Sequence, residues 1–275
     1  MKIKFHKMHG LGNDFVITES LVHTNILSPE FIQAISNRNT GIGFDQLLDM
    51  TPITENHYSV KIYNANGSVA KQCGNGLRCV AHLILNQTQD HATLSVFDNH
   101  YRAISYQDQV EVCMGKPTSI IPHKPYHQPE SIDILGKTIW AYLICLGNPH
   151  AVVFTDQLVG VDFETHANLI STHPSFPEGV NVSFVVKSDP EHAIVRTYER
   201  GAGETMACGS AACAVASALF AEHQSTTATI QFKGGKLSTR TDANGTIYQR
   251  GPAKKIFSGE LQVDEFCLTN HEQYI

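Results

Sequence analysis

The sequence predicts an α+β protein made of two similar halves, and three observations carry that reading. Short runs rich in Val, Ile, Phe and Tyr, bounded by Gly, Asn, Asp or Pro, outnumber the helical stretches. A Pro-rich stretch, 117–130 with Pro117, Pro122, Pro125 and Pro129, has no hydrophobic period and lies near the middle of the 275 residues. The third observation is an internal repeat. KIYNANGSVAKQCGNGLRCVAHLIL around Cys73 is answered by RTYERGAGETMACGSAACAVASALF around Cys208, an offset of 208 − 73 = 135. The same offset relates Gly12-Asn13 to Gly147-Asn148, Tyr63-Asn64 to Tyr198-Glu199 and Phe97 to Phe232, and drifts by one for Gly115 and Gly251. Single matches arise by chance, but agreement on one offset in chain order does not.

In chain order, strands are expected at 2–8, 15–18, 58–63, 93–97, 109–114, 182–187, 193–198 and 229–232. Helices are expected at 29–37, with Ser28 as N-cap and Pro29 at the first helical position, at 75–85 and at 210–222, with a weaker one at 163–171. The first domain is then 1–116 together with a returning C-terminal segment from about 261 to 275, and the second is 117–260. Each is expected to be a mixed β-sheet or barrel around a central helix. Pseudo-two-fold symmetry would put an active site in the interdomain cleft.

Composition narrows the function classes. With 42% hydrophobic and 17% charged residues the chain is an ordinary globular one, not a disordered or coiled-coil sequence. Twenty Lys+Arg against 26 Asp+Glu leave a net charge of −6, which argues against nucleic-acid and anionic-membrane partners. The longest apolar run, 211–221, falls short of the roughly 18 residues of a membrane span. The N-terminus alternates polar and apolar residues like a first strand rather than a signal peptide. Seven cysteines without a C-x2-C pair fit neither a disulfide framework nor a zinc site, so a cytoplasmic location is the expectation. None of the 15 histidines has H-x3-H spacing beside another ligand, so no metal is expected.

The chemistry concentrates on Cys73 and Cys208, one equivalent thiol per half, each at the start of a helix. Gly74-Asn75-Gly76 and Gly209-Ser210 leave free N–H groups at those helix starts, suited to an anionic group such as a carboxylate. The positive end of the helix dipole is expected to lower both thiol pKa values. Two thiols reaching one carbon from opposite faces suit inversion of a stereocentre. One takes the Cα proton and the other delivers a proton to the far face. His150 is equally readable as a general base or as a residue that orients a loop. Cys79, Cys113, Cys145, Cys213 and Cys267 are expected to be inert. A redox pair would want its resolving thiol nearby in sequence, and a cysteine hydrolase has no use for two equivalent thiols.

The chain resembles diaminopimelate epimerase over essentially its whole length. The resemblance rests on HGLGNDF (9–15), GFDQLL (43–48), YNANGS (63–68), QCGNGLRC (72–79), GNPH (147–150), GVNVSF (179–184) and YERGAGETMACGS (198–210). It implies a two-domain α+β fold, interconversion of LL- and meso-diaminopimelate for lysine and peptidoglycan synthesis, no pyridoxal phosphate or other cofactor, and a homodimer. It also implies catalytic roles for Cys73 and Cys208. Gly74, Asn75, Gly209 and Ser210 would grip the α-carboxylate and α-amino group. Asn13, Gln46, Asn64, Asn148, Asn181, Glu199 and Arg200 would bind the rest of the substrate. The residue types suit that role: amides for polar groups, one guanidinium for a distal carboxylate, one carboxylate for an ammonium. The chain departs from the family pattern at Asn66 and Val69, where acids are common, and at Ala211, where a glycine is common.

Overall fold

In a computed structural model, residues 1–24, 26–85, 90–158 and 162–263 are described. They fall into two compact units, Met1–Val110 with the chain from Pro252, and Glu111–Gly251. The division lies within a strand, not at the Pro-rich stretch. Thr118 and Ser119 at the start of that stretch already pair with Cys145 and Ile144 of the second unit. Positions 264–275 of the expected returning segment lie outside the described residues.

The first unit contains β1 (Lys2–Gly10), β2 (Asn13–Glu19), α1 (Pro29–Ser36), β3 (Gln46–Thr54), β4 (His57–Asn64), β5 (Val69–Ala70), α2 (Gly74–Leu85), β6 (His91–Val96) and β7 (Asn99–Tyr106). β8 (Gln109–Gly115) leads into the second unit. There follow β9 (Thr118–Ser119), β10 (Pro129–Ile134), β11 (Lys137–Cys145), β12 (Pro149–Phe154), α3 (Phe163–Ser171), β13 (Asn181–Asp189), β14 (His192–Glu199), β15 (Gly203–Thr205) and α4 (Gly209–His223). β16 (Thr227–Phe232), β17 (Gly235–Thr241) and β18 (Ile247–Pro252) complete that unit, and β19 (Lys254–Gln262) belongs to the first.

The two units share one topology. In the first, the strands run β19-β1-β2-β3-β4-β6-β7, with β2–β3 and β4–β6 parallel and the other pairs antiparallel. In the second they run β10-β11-β12-β13-β14-β16-β17-β18, with β12–β13 and β14–β16 parallel. The repeat extends to register. Phe15 faces Gln46 as His150 faces Asn181, and Tyr63 faces Val69 as Tyr198 faces Glu204, each residue 135 positions on.

One sequence match does not survive. Val96 faces Asn99 as Phe232 faces Gly235, so the counterpart of Phe232 is Val96, at an offset of 136. Phe97 lies beyond the end of β6, 63% exposed and in the left-handed region, whereas Val96 and Phe232 are both buried. The one-residue drift therefore begins before this strand.

Each sheet has a helix on both faces. α1 is capped by the Ser28 hydroxyl, which accepts from the Phe31 amide at 3.2 Å, and it turns Phe31, Ile32 and Ile35 onto Val16, Leu47 and Tyr63. α3 does the same in the second unit, with Phe163, Ala167 and Ile170 over Ala151, Val153 and Val182. The opposite face wraps α2 or α4. α2 packs against β1, β2, β3, β6 and β7, and α4 against β11, β12, β13, β16 and β17. α4 is the more completely apolar of the two over its first three turns. Residues 209–219 of α4 are all buried, and five alanines among them let the strands come close.

Candidate active site

In each unit the expected residues gather at one edge of the sheet. Asn13 and Gln46 open the parallel strands β2 and β3, Asn64 closes the antiparallel β4, and Cys73 leads into α2. In the second unit Asn148 precedes β12, Asn181 opens β13, Glu199 closes β14, and Cys208 leads into α4. Gly12 and Gly147, with φ of 89° and 80°, make the matching turns before Asn13 and Asn148.

Cys73 is half-buried and acts as the cap of its helix. Its carbonyl accepts the Leu77 amide at 2.9 Å, and its sulfur accepts the Gly76 amide at 3.3 Å. That amide favours a thiolate. The thiol also donates to Asn13 Oδ1 at 3.8 Å, and Asn75 Nδ2 reaches the same oxygen at 3.3 Å. Gly76 has no room for a side chain, since a Cβ there would stand 2.8 Å from Leu48 Cδ2 and 3.3 Å from the Cys73 sulfur. Beside this group, Gln46 Nε2 donates to Asn64 Oδ1 at 2.9 Å, and the Asn64 amide nitrogen donates to Ser68 Oγ at 3.0 Å. Gln46 Oε1 is buried and accepts nothing, an acceptor available to a ligand N–H.

Cys208 is only 6% exposed, and its carbonyl accepts the Ala212 amide at 3.0 Å. The expectation of a lowered pKa fails here. Burial pushes the thiol well up, and so does the negative charge of Glu199, to which it hydrogen-bonds. The Ser210 hydroxyl, 3.4 Å from the sulfur, and the Ala211 amide pull the other way without prevailing. Cys208 is therefore a protonated thiol at neutral pH, with a carboxylate beside it. Glu199 is held in turn by Thr205, whose hydroxyl donates to it at 2.7 Å.

His150 lies against the Ser210 hydroxyl at the start of α4. It is fully buried, and its Nε2 lies 3.0 Å from Ser210 Oγ. Burial, reinforced by the charge of Arg200, lowers its pKa to about 3, so the ring is neutral. Asn181 Oδ1 accepts the Arg200 amide at 3.0 Å, and the Arg200 guanidinium donates to the Glu178 carbonyl at 2.6 Å, which fixes its stem.

Sequence reasoning missed Asp45, Arg78 and Thr205 as parts of these clusters. All three were within reach, because they lie inside the GFDQLL, QCGNGLRC and YERGAGETMACGS motifs. Cys79 behaves as expected of an inert thiol, fully buried and pushed up to about 12 by desolvation. Among the described residues no group of three or more His, Cys, Asp or Glu could hold a metal ion. No described helix is long and apolar enough to cross a membrane.

Comparison with known proteins agrees with the repeat. The diaminopimelate epimerase family matches the chain twice, over residues 5–120 and 142–256. A diaminopimelate epimerase of Leptospira biflexa is 34% identical, covering 96% of this chain and 100% of its own. One from Alkalilimnicola ehrlichii is 35% identical with the same coverage. Among solved structures, a hydroxyproline epimerase of Agrobacterium vitis superposes with a TM-score of 0.67 at 14% identity, over 94% of this chain and 92% of that one. A probable proline racemase of Agrobacterium radiobacter gives 0.69 at 15%, over 96% and 94%. At such identities these two structures speak for the fold alone.

Proposed function

The chain belongs to the diaminopimelate epimerase family and is an isomerase, and on that premise we propose that it interconverts LL- and meso-diaminopimelate by a two-thiol proton transfer. The observation that carries the proposal is the pair of equivalent cysteines, each leading into the central helix of its own unit at the same place in the repeat.

In this mechanism one sulfur removes the Cα proton and the other, as a thiol, protonates the opposite face. Cys208 enters as the acid. Its raised pKa keeps the proton on sulfur until the Cα carbanion takes it. In the reverse direction the roles exchange, the Cys208 thiolate left by that donation removing the Cα proton while Cys73, now the thiol, protonates the opposite face. Cys73 enters as the base, with the Gly76 amide stabilising the thiolate. The carbanion-like transition state is held by N–H groups at the starts of α2 and α4 and by Ser210, whose hydroxyl His150 aims. Arg200 takes the distal carboxylate, and the amides of Asn13, Gln46, Asn64, Asn148 and Asn181 take the remaining polar groups. No cofactor enters the steps. The same reading makes the protein a cytoplasmic homodimer serving lysine and peptidoglycan synthesis.

The test is Cα hydrogen exchange in D2O with LL-diaminopimelate beside a panel of other L-amino acids, including proline, histidine and glutamate. Exchange with diaminopimelate alone is the expected result. Exchange with another amino acid and none with diaminopimelate would end the substrate assignment while leaving the fold and the thiols untouched.

A further inference from the structure

We propose that Asp45 is a positioning residue that locks the amide orientation of Asn13 against the Cys73 thiol. The inference rests on the reading of Cys73 as a catalytic thiol.

An asparagine amide can be turned by half a revolution with little change in shape, exchanging its acceptor for its donor. At Asn13 the difference matters. Its Oδ1 faces the Cys73 sulfur at 3.8 Å and Asn75 Nδ2 at 3.3 Å. Turned over, it would present N–H groups to the sulfur and stabilise the thiolate. Two charged groups prevent this. A carboxylate can only accept, so Asp45 Oδ2, 2.9 Å from Asn13 Nδ2, requires the nitrogen on its side. A guanidinium can only donate, so Arg78 Nη2, 2.8 Å from Asn75 Oδ1, requires the oxygen of Asn75 on its side and leaves Asn75 Nδ2 facing Asn13. Arg78 and Asn75 are 0% and 2% exposed, so a mismatch there would be costly. With both ends set, turning Asn13 would oppose donor to donor at Asn75 and acceptor to acceptor at Asp45.

Asp45 is itself held in place. Arg38 Nη2 donates to its Oδ1 at 2.7 Å, and the Asp14 amide donates to its Oδ2 at 3.1 Å. The Asp45 amide returns a bond of 3.1 Å to Asp14 Oδ1. Asp14 is fixed by Arg38 and Lys7, which with burial opposing them leave its pKa at about 2.

The variants are Asp45→Ala and Asp45→Asn. An asparagine at 45 keeps its oxygen toward Asn13 and the Asp14 amide, two donors, and turns its nitrogen toward the more exposed Arg38, so it preserves the lock. The first readout is the pH dependence of Cys73 alkylation by iodoacetamide, followed on the Cys73 peptide by mass spectrometry. Asp45→Ala is expected to move the midpoint down by about half to one pH unit and to lower kcat/KM by roughly ten- to a hundredfold. Asp45→Asn is expected to stay within about threefold of the parent kcat/KM, with the midpoint unmoved. An unshifted midpoint with parent kcat/KM in a folded Asp45→Ala protein would overturn the proposal. So would an Asp45→Asn variant as impaired as Asp45→Ala, which would make charge, not acceptor geometry, the operative property. Alkylation needs no substrate. A shifted midpoint in a protein that does not act on diaminopimelate would therefore keep the lock and discard the function.

Discussion

A sulfur at the start of a buried helix feels competing forces, and the two sulfurs here sit in different surroundings. At Cys73 the Gly76 amide donates directly to a half-buried sulfur. At Cys208, burial and the neighbouring Glu199 outweigh every donor. The positions of both thiols were legible in the repeat. The proton affinity of Cys208 was not, because it depends on depth and on a carboxylate brought up from β14, neither of which motif spacing encodes. Replacing either thiol, as Cys73→Ala or Cys208→Ala, is expected to abolish epimerisation while thermal melts stay close to the parent. Cys→Ser at either position should leave a weak enzyme with unequal rates in the two directions, since a hydroxyl is a far poorer base. Turnover near the parent level in either alanine variant would refute the assignment. Arg200→Ala is expected to act mainly on KM, raising it roughly ten- to a thousandfold for a charge pair of about 2–4 kcal/mol. His150 supplies a pH dependence of stability. Its folded pKa, about 3, lies below the ordinary histidine value of 6.5, so between those limits the unfolded chain binds more protons. Stability is full above about pH 6.5 and is lost as pH falls, by about 2 kcal/mol between pH 6.5 and 5. His150→Gln should flatten that part of a melting-temperature profile; an unchanged slope would mean the ring is not held neutral.

Turns set the geometry of the site elements. Gly67, between β4 and β5, has a φ of 80°, and a Cβ there would lie 2.5 Å from Pro29 Cα and 2.9 Å from the Pro29 carbonyl oxygen. Gly67→Ala therefore combines backbone strain with a clash against backbone at the start of α1. A loss of roughly 2–4 kcal/mol in urea denaturation is expected. KM should rise as well, because Asn64 is tied to Ser68 next to this turn. A loss below about 0.5 kcal/mol would show that the turn relaxes at no cost. The central helices were legible because Gly74-Asn75 and Gly209-Ser210 marked their starts and long apolar runs followed. Strand β3 was not, although Gln46 opens it. Its sequence QLLDMTPIT holds adjacent leucines, a buried Asp49 and a proline, which hide the alternation a strand normally shows. Asp49 is tolerated there because it accepts from the Thr18 hydroxyl at 2.7 Å and the Leu21 amide at 3.0 Å. β17, GKLSTRT, escaped notice for the opposite reason, having only one large apolar residue, Leu237.

Over the whole chain, duplication gives each half, an ordinary sheet around a helix, one equivalent cysteine at the start of its central helix. Strand order and much of the register repeat between the units, and the paired site positions repeat with them: Asn13 with Asn148, Gln46 with Asn181, Asn64 with Glu199, Cys73 with Cys208. The duplication itself was readable from an offset of 135, but the drift to 136 after the central helix was not, since Phe97 matched Phe232 by coincidence. Where the pairs differ, as Asn64 and Glu199 do, the halves have specialised, and the Glu199 side carries the proton-holding thiol. The central claim is that two separate groups handle the two protons at one α-carbon. Its most direct test follows the first few per cent of conversion of LL-diaminopimelate in D2O. Two bases predict solvent deuterium at Cα of the meso product while the unreacted LL substrate keeps its protium. Substrate protium carried into the product, or deuterium appearing equally in both isomers from the outset, would contradict the account.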